Sequence, residues 1–248
     1  MCGIYSVLSF DKTHKINEQQ HTSYFNRIQH RGPDSSTFTL IHNQIGFGFH
    51  RLAINGMDET SDQPFEINGI RLICNGEIFN YKQLIRDYEI DVQTNSDCEV
   101  IIHLYERFGM TRTLEVLNGE FAFCLYDTKH MILYVTRDHI GIRPLFIGKT
   151  ITHQGCAFAS EAKALLDQCN EIVQYPPGTW TSFNLATHNQ EHHRWYFYDT
   201  MSIRDISTID YKHLSRESIV RCIHDTLVAS VNLRIDTSDR PVGTFLSG

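Results

Sequence analysis

The chain has 248 residues, of which 41% are hydrophobic and 21% charged, a composition typical of a globular protein with a buried core. Its 22 basic and 29 acidic residues give a formal net charge of -7, and Lys and Arg form no basic run, which argues against nucleic acid and anionic membranes as partners. Seven cysteines without a Cys-x-x-Cys pair predict neither a disulfide framework nor a zinc site. With no secretory leader and no apolar span long enough to cross a bilayer, we expect a cytoplasmic protein.

Short apolar runs separated by Gly, Asn and Asp predict β-strands as far as Phe183. The clearest runs cover residues 45–52, 70–74, 121–126 and 131–135. The run 121–126 is continuously apolar, which favours a strand covered on both faces. Two helical stretches fit that covering role, residues 18–28 and residues 96–108, the second beginning at Ser96-Asp97 as a cap. The sequence therefore predicts a layered mixed fold of the α/β (α+β) class.

The sequence changes in character near residue 200, where a polar stretch follows the last predicted strand. Residues 215–235 then place Val220, Ile223, Leu227 and Val231 on one helical face, which predicts an amphipathic helix. Residues 240–248 predict a buried strand that runs into a glycine loop. We therefore expect two domains, one at residues 1–200 and an incomplete second one at residues 201–248.

Cys2 directly follows the initiator methionine. Removal of Met1 would leave a thiol and a free α-amino group on one residue, so that the nucleophile and its base would belong to the same amino acid. An α-amino group titrates at about 7.7 to 8, and a good fraction of it is therefore unprotonated near neutral pH. Taken alone, a Met-Cys start favours the plainer interpretation that position two holds a small residue tolerated by the processing enzyme. Only further motifs can favour catalysis.

A series of motifs in a fixed order supplies that context. They are residues 30–34 (His-Arg-Gly-Pro-Asp), 51–54 (Arg-Leu-Ala-Ile), 75–80 (Asn-Gly-Glu-Ile-Phe-Asn), 96–99 (Ser-Asp-Cys-Glu), 119–123 (Gly-Glu-Phe-Ala-Phe), 137–145 (Arg-Asp-His-Ile-Gly-Ile-Arg-Pro-Leu) and 159–165 (Ala-Ser-Glu-Ala-Lys-Ala-Leu). Together with the Met-Cys-Gly-Ile start, they resemble the glutaminase domain of glutamine-hydrolysing asparagine synthetases over essentially the whole chain. The resemblance implies a class II glutamine amidotransferase with the N-terminal-nucleophile hydrolase fold, a four-layer αββα sandwich, followed by the beginning of an α/β ATP-pyrophosphatase synthetase domain.

The resemblance also implies roles for individual residues. Cys2 attacks the side-chain amide carbon of glutamine, passing through an oxyanion to a glutamyl thioester and releasing ammonia and then glutamate. The Asn75 amide and the Gly76 N–H match the catalytic oxyanion donors. Arg51 suits the α-carboxylate of glutamine as a planar bidentate cation, while Asp97 and Glu77 suit its α-ammonium group. The other substrate-binding positions, which contribute backbone atoms, are Leu52, Ala53, Ile54 and Asn55.

In the complete family enzyme, a second domain uses ATP and Mg2+ to activate aspartate, which ammonia then converts to asparagine. Leu246, Ser247 and Gly248 resemble the start of the ATP-binding loop of that domain. Glutamine hydrolysis itself needs no cofactor, and the scattered histidines predict no metal site. The expected small-molecule partners are therefore glutamine and, in the complete enzyme, aspartate and ATP. The resemblance also allows a homodimer.

Each assignment has a plainer alternative. Arg51 could pair with a structural carboxylate, Asp97 could cap the following helix, and Asn75-Gly76 is a common tight-turn dipeptide.

Two cysteines beside these motifs, Cys74 and Cys98, are interpreted as packing residues, because a free cysteine is usually buried and inert. Two other functions also stay open. One is an amidotransferase with a different ammonia acceptor, and the other is a catalytically silent glutamine-binding or regulatory module.

Overall fold

The computed structural model describes residues 1–196 and 215–245. The chain divides into two compact units, Met1–Trp195 and Tyr196–Gly248. The predicted domain boundary near residue 200 falls within residues 197–214, outside the described residues.

Two six-stranded antiparallel sheets form the centre of the first unit. The first sheet contains β1 (Gly3–Ser9), β2 (Ser35–Ile41), β3 (Ile45–Arg51), β8 (Phe146–Thr150), β9 (Gly155–Ala159) and β10 (Cys169–Gln174), in the order β10-β8-β9-β1-β3-β2. The second contains β4 (Phe65–Ile67), β5 (Ile70–Ile78), β6 (Gly119–Asp127), β7 (Ile132–Arg137), β11 (Thr179–Asn184) and β12 (Gln190–Arg194), in the order β12-β11-β7-β6-β5-β4. The four clearest apolar runs correspond to β3, β5, β6 and β7, although β5 continues to Ile78.

Three helices accompany these sheets: α1 (Glu18–Asn26), α2 (Tyr81–Asp87) and α3 (Val100–Val116). The stretch predicted at residues 96–108 begins with a short 3-10 turn, whose Ser96 side chain accepts the N–H of Cys98. It continues as α3 well beyond the predicted end, with a break at Gly109, where φ is 75°. A left-handed φ is accessible to glycine, so the helical segments continue on both sides of this break.

Three hydrophobic clusters show that the layers are stacked as helix, sheet, sheet and helix. In β6, Phe121 and Phe123 pack with Val100 and Leu104 of α3, whereas the alternate residue Ala122 belongs to the cluster between the two sheets. A third cluster joins the other face of the first sheet to α1. Successive strand residues point to opposite faces, so both faces of a continuously apolar strand are covered. The structure confirms the predicted mixed fold with its layers in αββα order.

The described part of the second unit consists mainly of helix α4 (Arg216–Ile235), which Ser215 caps by accepting the N–H of Ser218. The amphipathic pattern predicted at residues 215–235 thus forms a helix. The buried strand predicted at residues 240–248 is wrong for residues 240–245, which are exposed and form no strand. Within the described residues, no neighbouring strand supplies hydrogen bonds to this segment, and an apolar sequence alone does not form a strand. The predicted ATP-loop residues 246–248 lie outside the described residues.

No helix among the described residues is long and apolar enough to span a bilayer.

Candidate active site

Nearly all of the predicted site residues line one pocket. It encloses about 450 Å3, counting the space at its open mouth. Of the ten predicted catalytic and glutamine-binding residues, nine line it, and Ala53 lies outside the lining. The lining residues are Met1, Cys2, Phe49, Arg51, Leu52, Ile54, Asn55, Ser61, Gln63, Cys74, Asn75, Gly76, Glu77, Ser96, Asp97, Cys98 and Arg143.

Cys2 lies immediately before β1, next to the end of β3, because Gly3 pairs with His50 in the sheet. Its Sγ is 3.5 Å from the carbonyl oxygen of Leu52 and accepts the Leu52 N–H at 3.4 Å. Arg31 fixes the backbone at this point by donating from Nε to the Cys2 carbonyl at 2.9 Å. Burial raises the pKa of the Cys2 thiol, so the thiol is protonated at neutral pH and a base is needed to activate it.

The loop after the 3-10 turn Gln29–Arg31 supports the same region. Asp34 accepts the N–H of Ala53 at 2.7 Å, and its own N–H donates to the carbonyl of Arg51 at 2.9 Å. Gly32 packs so closely that a Cβ there would lie 2.3 Å from the backbone of His50. The motif at residues 30–34 therefore fixes the path of the chain beyond β3.

Asn75 and Gly76 lie inside β5, where they pair with Ala122 and Phe121 of β6. The tight-turn alternative for this dipeptide is therefore wrong. The Asn75 side-chain nitrogen Nδ2 is buried and has no hydrogen-bond partner in the part of the chain that the structure describes. A buried amide donor without an acceptor is costly, which makes Nδ2 a candidate for contact with a ligand.

Beyond the residues that pair with β4, the edge of β5 opposite β6 presents alternate N–H groups toward the pocket. The N–H of Cys74 donates to Gln63 at 2.6 Å, and the N–H of Ile78 donates to Asp97 at 2.6 Å. Because alternate residues of a strand direct their N–H groups to the same edge, the N–H of Gly76 lies on this edge between them. Gly76 is also sterically required, since a Cβ there would lie 2.7 Å from the Glu120 carbonyl oxygen.

Arg51 ends β3, and its guanidinium is buried in the loop that follows. It forms an ion pair with Asp62, donates to the carbonyl of Asp58 at 2.9 Å and also donates to the carbonyl of Gly56. The alternative of a structural carboxylate partner is therefore realised in this structure, while Arg51 also lines the pocket. The guanidinium therefore organises the loop, and Arg51 is also one of the residues that line the pocket.

Asp97 is not a helix cap, because Ser96 performs that role. Burial raises the pKa of the Asp97 carboxyl to about 6, and the charge of Glu77 adds to the rise. The N–H of Ile78 and the nearby Asn55 amide oppose it, although neither polar atom of that amide has standard hydrogen-bond geometry to any described residue. Asp97 is thus a costly buried acid beside amide groups that have no partner.

Glu77 forms an ion pair with Arg143, which sequence analysis did not assign to the site. Arg143 Nη2 lies 3.0 Å from Glu77 Oε1 and 2.7 Å from Glu120 Oε1. Asp138 holds the preceding loop by accepting the N–H groups of residues 140–143 at 2.6 to 3.1 Å. The motif at residues 137–145 includes Arg143, and sequence analysis identified that motif. No local pattern, however, indicates that Arg143 contacts Glu77, which lies 66 positions earlier in the chain.

Cys74 and Cys98 line the pocket and are buried. A hydrogen bond with Cys74 and burial raise the pKa of the Cys98 thiol well above its usual value. A buried thiol with a raised pKa is a poor nucleophile, which agrees with a packing role for Cys98.

Within the described residues, no group of three or more His, Cys, Asp or Glu side chains could hold a metal ion.

The αββα sandwich, with the Cys2 thiol directly before the central strand β1, has the N-terminal-nucleophile hydrolase fold that the resemblance implied. The family profile described as "Glutamine amidotransferase domain" matches residues 1–214, and the chain belongs to that family.

Curated relatives agree with this membership, and a solved structure agrees with the fold. The probable glutamine-hydrolysing asparagine synthetase of Acanthamoeba polyphaga mimivirus is 31% identical over 100% of this chain and 47% of that protein. The glutamine-hydrolysing asparagine synthetase of Rattus norvegicus is 39% identical over 100% of this chain and 46% of that protein. The chain therefore spans less than half the length of these relatives. The glutamine phosphoribosylpyrophosphate amidotransferase from B. subtilis superposes with a TM-score of 0.65 at 22% identity, covering 79% of this chain and 50% of that one, a likeness that shows the fold alone.

Proposed function

We propose that this chain hydrolyses glutamine to glutamate and ammonia, with Cys2 as the nucleophile. The observation that carries the proposal is the presence in one pocket of the Cys2 thiol and the buried Nδ2 of Asn75, which has no hydrogen-bond partner among the described residues. The first is a group that can attack an amide carbon, and the second is a donor for the oxygen that becomes negative. Family membership supplies glutamine as the substrate.

The first step requires removal of Met1, which exposes the α-amino group of Cys2. That amine takes the thiol proton directly or through one water, since burial keeps the thiol protonated. Burial together with the charges of Arg143 and Arg31 lowers the pKa of the α-amine at Met1 in this structure. The amine of Cys2, one residue further in, lies close to the same two guanidinium groups and is expected to be a neutral base near pH 7.

The second requirement is stabilisation of the tetrahedral oxyanion. The pairing of β5 with β6 fixes the backbone N–H of Gly76 and the backbone position from which the buried Asn75 side chain extends. Donors fixed in advance need no reorganisation when the charge develops, which is why such pairs are effective. Collapse of this intermediate breaks the C–N bond and releases ammonia, and water then cleaves the thioester to give glutamate.

Recognition of the amino-acid end of glutamine is assigned to opposite charges in the same pocket. Arg51 would hold the α-carboxylate, while Asp97 and Glu77 would hold the α-ammonium group. Leu52, Ile54 and Asn55 would contribute contacts along the pocket wall.

In a longer protein of the kind that the relatives represent, we propose that the ammonia serves ATP-dependent amidation of aspartate to asparagine in the cytoplasm. The relatives carry that activity in their names, and the chain matches less than half of their length. ATP and Mg2+ would belong to that activity and are not needed for glutamine hydrolysis.

The test is release of glutamate and ammonia from glutamine by the purified chain, with intact mass measured on the same sample to establish whether Met1 is absent. Hydrolysis by the wild type that disappears in Cys2→Ala and persists in Cys74→Ala would support the proposal. Glutamine binding without hydrolysis by a chain whose Cys2 is free would favour the silent binding module. Hydrolysis that persists in Cys2→Ala would refute the assigned nucleophile.

A further inference from the structure

The loop between β3 and β4, residues 52–64, packs directly against the segment 93–97 that carries Asp97. A Cβ on Gly56 would lie 2.9 Å from the backbone carbonyl carbon of Asn95, so the two backbones touch. The φ of Gly56 is +61°, which again favours glycine at this contact. Farther in, the Asn55 amide lies near the Asp97 carboxyl and favours its charged form.

Asp58 lies at the outer end of this contact and uses its two carboxylate oxygens differently. Oδ1 accepts hydrogen bonds within its own loop, from the hydroxyl groups of Thr60 and Ser61 and from the Ser61 N–H. Oδ2 accepts from the Asn95 side chain at 2.6 Å, across the boundary between the two segments. Bonds from Thr60 and Asn95 lower the pKa of Asp58 to about 2, so the acceptor is ionised throughout the neutral range.

The same loop holds the guanidinium of Arg51. The Asp58 carbonyl accepts from Arg51 Nη1 at 2.9 Å, and Asp62 forms the ion pair with it. A single residue, Asp58, therefore bonds to Arg51 through its backbone and to Asn95 through its side chain. Asn95 is two residues before Asp97.

We propose that Asp58 and Asn95 form a positioning contact that couples Arg51 to Asp97, so that the α-carboxylate and the α-ammonium group of the substrate are recognised cooperatively. The inference rests on the proposed function for the identity of the substrate. Both residues act through the groups they position and do not touch the reacting atoms. A substrate that carries both charges binds more tightly because of the coupling. A molecule with only one of the two charges gains no affinity from it.

The contact can be broken without removing the turn cap, because Asn95 bonds only to Oδ2. Asn95→Ala is therefore the main variant, and its exposed position makes a folding defect a minor concern. Asp58→Ala removes the contact together with the cap. Asp11→Ala is the matched control, since Asp11 caps a turn in the same way, accepting from the N–H and hydroxyl of Thr13 at 2.8 and 2.6 Å, and does not line the pocket.

Binding is measured by NMR titration of the Cys2→Ala chain, which cannot turn substrate over, with three ligands. They are L-glutamine, glutaramic acid, which lacks the amino group, and 4-aminobutanamide, which lacks the carboxylate. In the Asn95→Ala background, the Kd for glutamine is expected to rise roughly 2- to 12-fold, the loss that accompanies one hydrogen bond. The Kd values for the two analogues are expected to change less than twofold, as are all three values in Asp11→Ala.

Each alternative outcome has a clear meaning. Equal weakening of glutamine and glutaramic acid would mean that Asn95 merely supports the Arg51 loop, which overturns the coupling. An unchanged Kd for glutamine in both Asn95→Ala and Asp58→Ala also overturns it. If the variants show the expected changes in Kd but the wild-type chain does not hydrolyse glutamine, the proposed hydrolysis is refuted and the coupling stands. If the Cys2→Ala chain does not bind glutamine, both proposals are refuted.

Discussion

Replacing Asp97 by asparagine is expected to stabilise the protein at neutral pH while weakening glutamine binding. Asp97 is 4% exposed, and burial raises the pKa of its carboxyl from 3.8 to about 6. Holding this group ionised at pH 7 therefore costs free energy in the folded state. The side-chain amide of the variant would keep an oxygen to accept the Ile78 N–H and would carry no charge.

The magnitude follows from the pKa values. At about 1.36 kcal/mol per pH unit, a pKa of about 6 in the folded state against 3.8 corresponds to about 3 kcal/mol, as an upper bound. Because the folded state binds the proton more tightly than the unfolded chain, stability of the wild type falls as pH rises from about 4 through 6. The gain from Asp97→Asn should thus be absent below pH 4 and full above pH 7, where it corresponds to a rise in Tm of roughly 6 to 12 °C.

The assay is thermal unfolding of both proteins across this pH range, with the Kd for glutamine measured at pH 7.5. Asp127→Asn is the control variant, for which the expected change in Tm has the opposite sign. Burial alone would raise the pKa of Asp127, but hydrogen bonds from His130 and Tyr105 outweigh it and lower the pKa, so this carboxylate stabilises the fold above its unfolded pKa. Its replacement should lower Tm at pH 7.5. A loss of stability in Asp97→Asn at pH 7.5, or a gain that is equal at pH 4 and pH 7.5, would refute the reasoning.

Three further predictions concern the pocket. Asn75→Ala should lower kcat for glutamine hydrolysis about 100- to 1,000-fold with little change in KM, as steady-state kinetics would show. Arg51→Lys should raise KM with a smaller effect on kcat, because an ammonium group cannot replace the planar donor set, and an unchanged KM would contradict this. Gly76→Ala should lower Tm markedly, because the new Cβ would lie 2.7 Å from the Glu120 carbonyl oxygen. If the variant unfolds at the same Tm as the wild type, β5 and β6 can move apart to accept the methyl group and the prediction is wrong.

The four clearest apolar runs in the sequence located β3, β5, β6 and β7 of the central sheets, and the difference at β5 has a physical cause. The apolar run there covers only residues 70–74, and Asn75-Gly76 alone was also compatible with a tight turn. In the structure, β6 supplies hydrogen bonds along the whole of β5, and this tertiary pairing outweighs the local preference. Likewise, helix α2 spans only seven residues, too few for a periodic signal to be recognised.

Most of the residues that line the pocket could be predicted because they belong to short motifs, each of which keeps its side chains near one another. Contacts between motifs could not be predicted. Cys2 meets Leu52 across 50 residues, and Arg143 meets Glu77 across 66. Nothing within a local window determines which arginine reaches which carboxylate, so the sequence left a structural carboxylate partner for Arg51 as an alternative without identifying Asp62.

The pocket combines several features that a fold selected only for stability would avoid. Buried polar atoms without a partner among the described residues include Nδ2 of Asn75, both amide atoms of Asn55 and Nε of Arg143, all of which line it. Each such atom costs about 1 to 3 kcal/mol, and the buried charge of Asp97 adds to the cost. A ligand with an amide, a carboxylate and an ammonium group can satisfy groups of all these types at once. Binding of an amino-acid amide beside Cys2, as proposed, would therefore recover part of this cost.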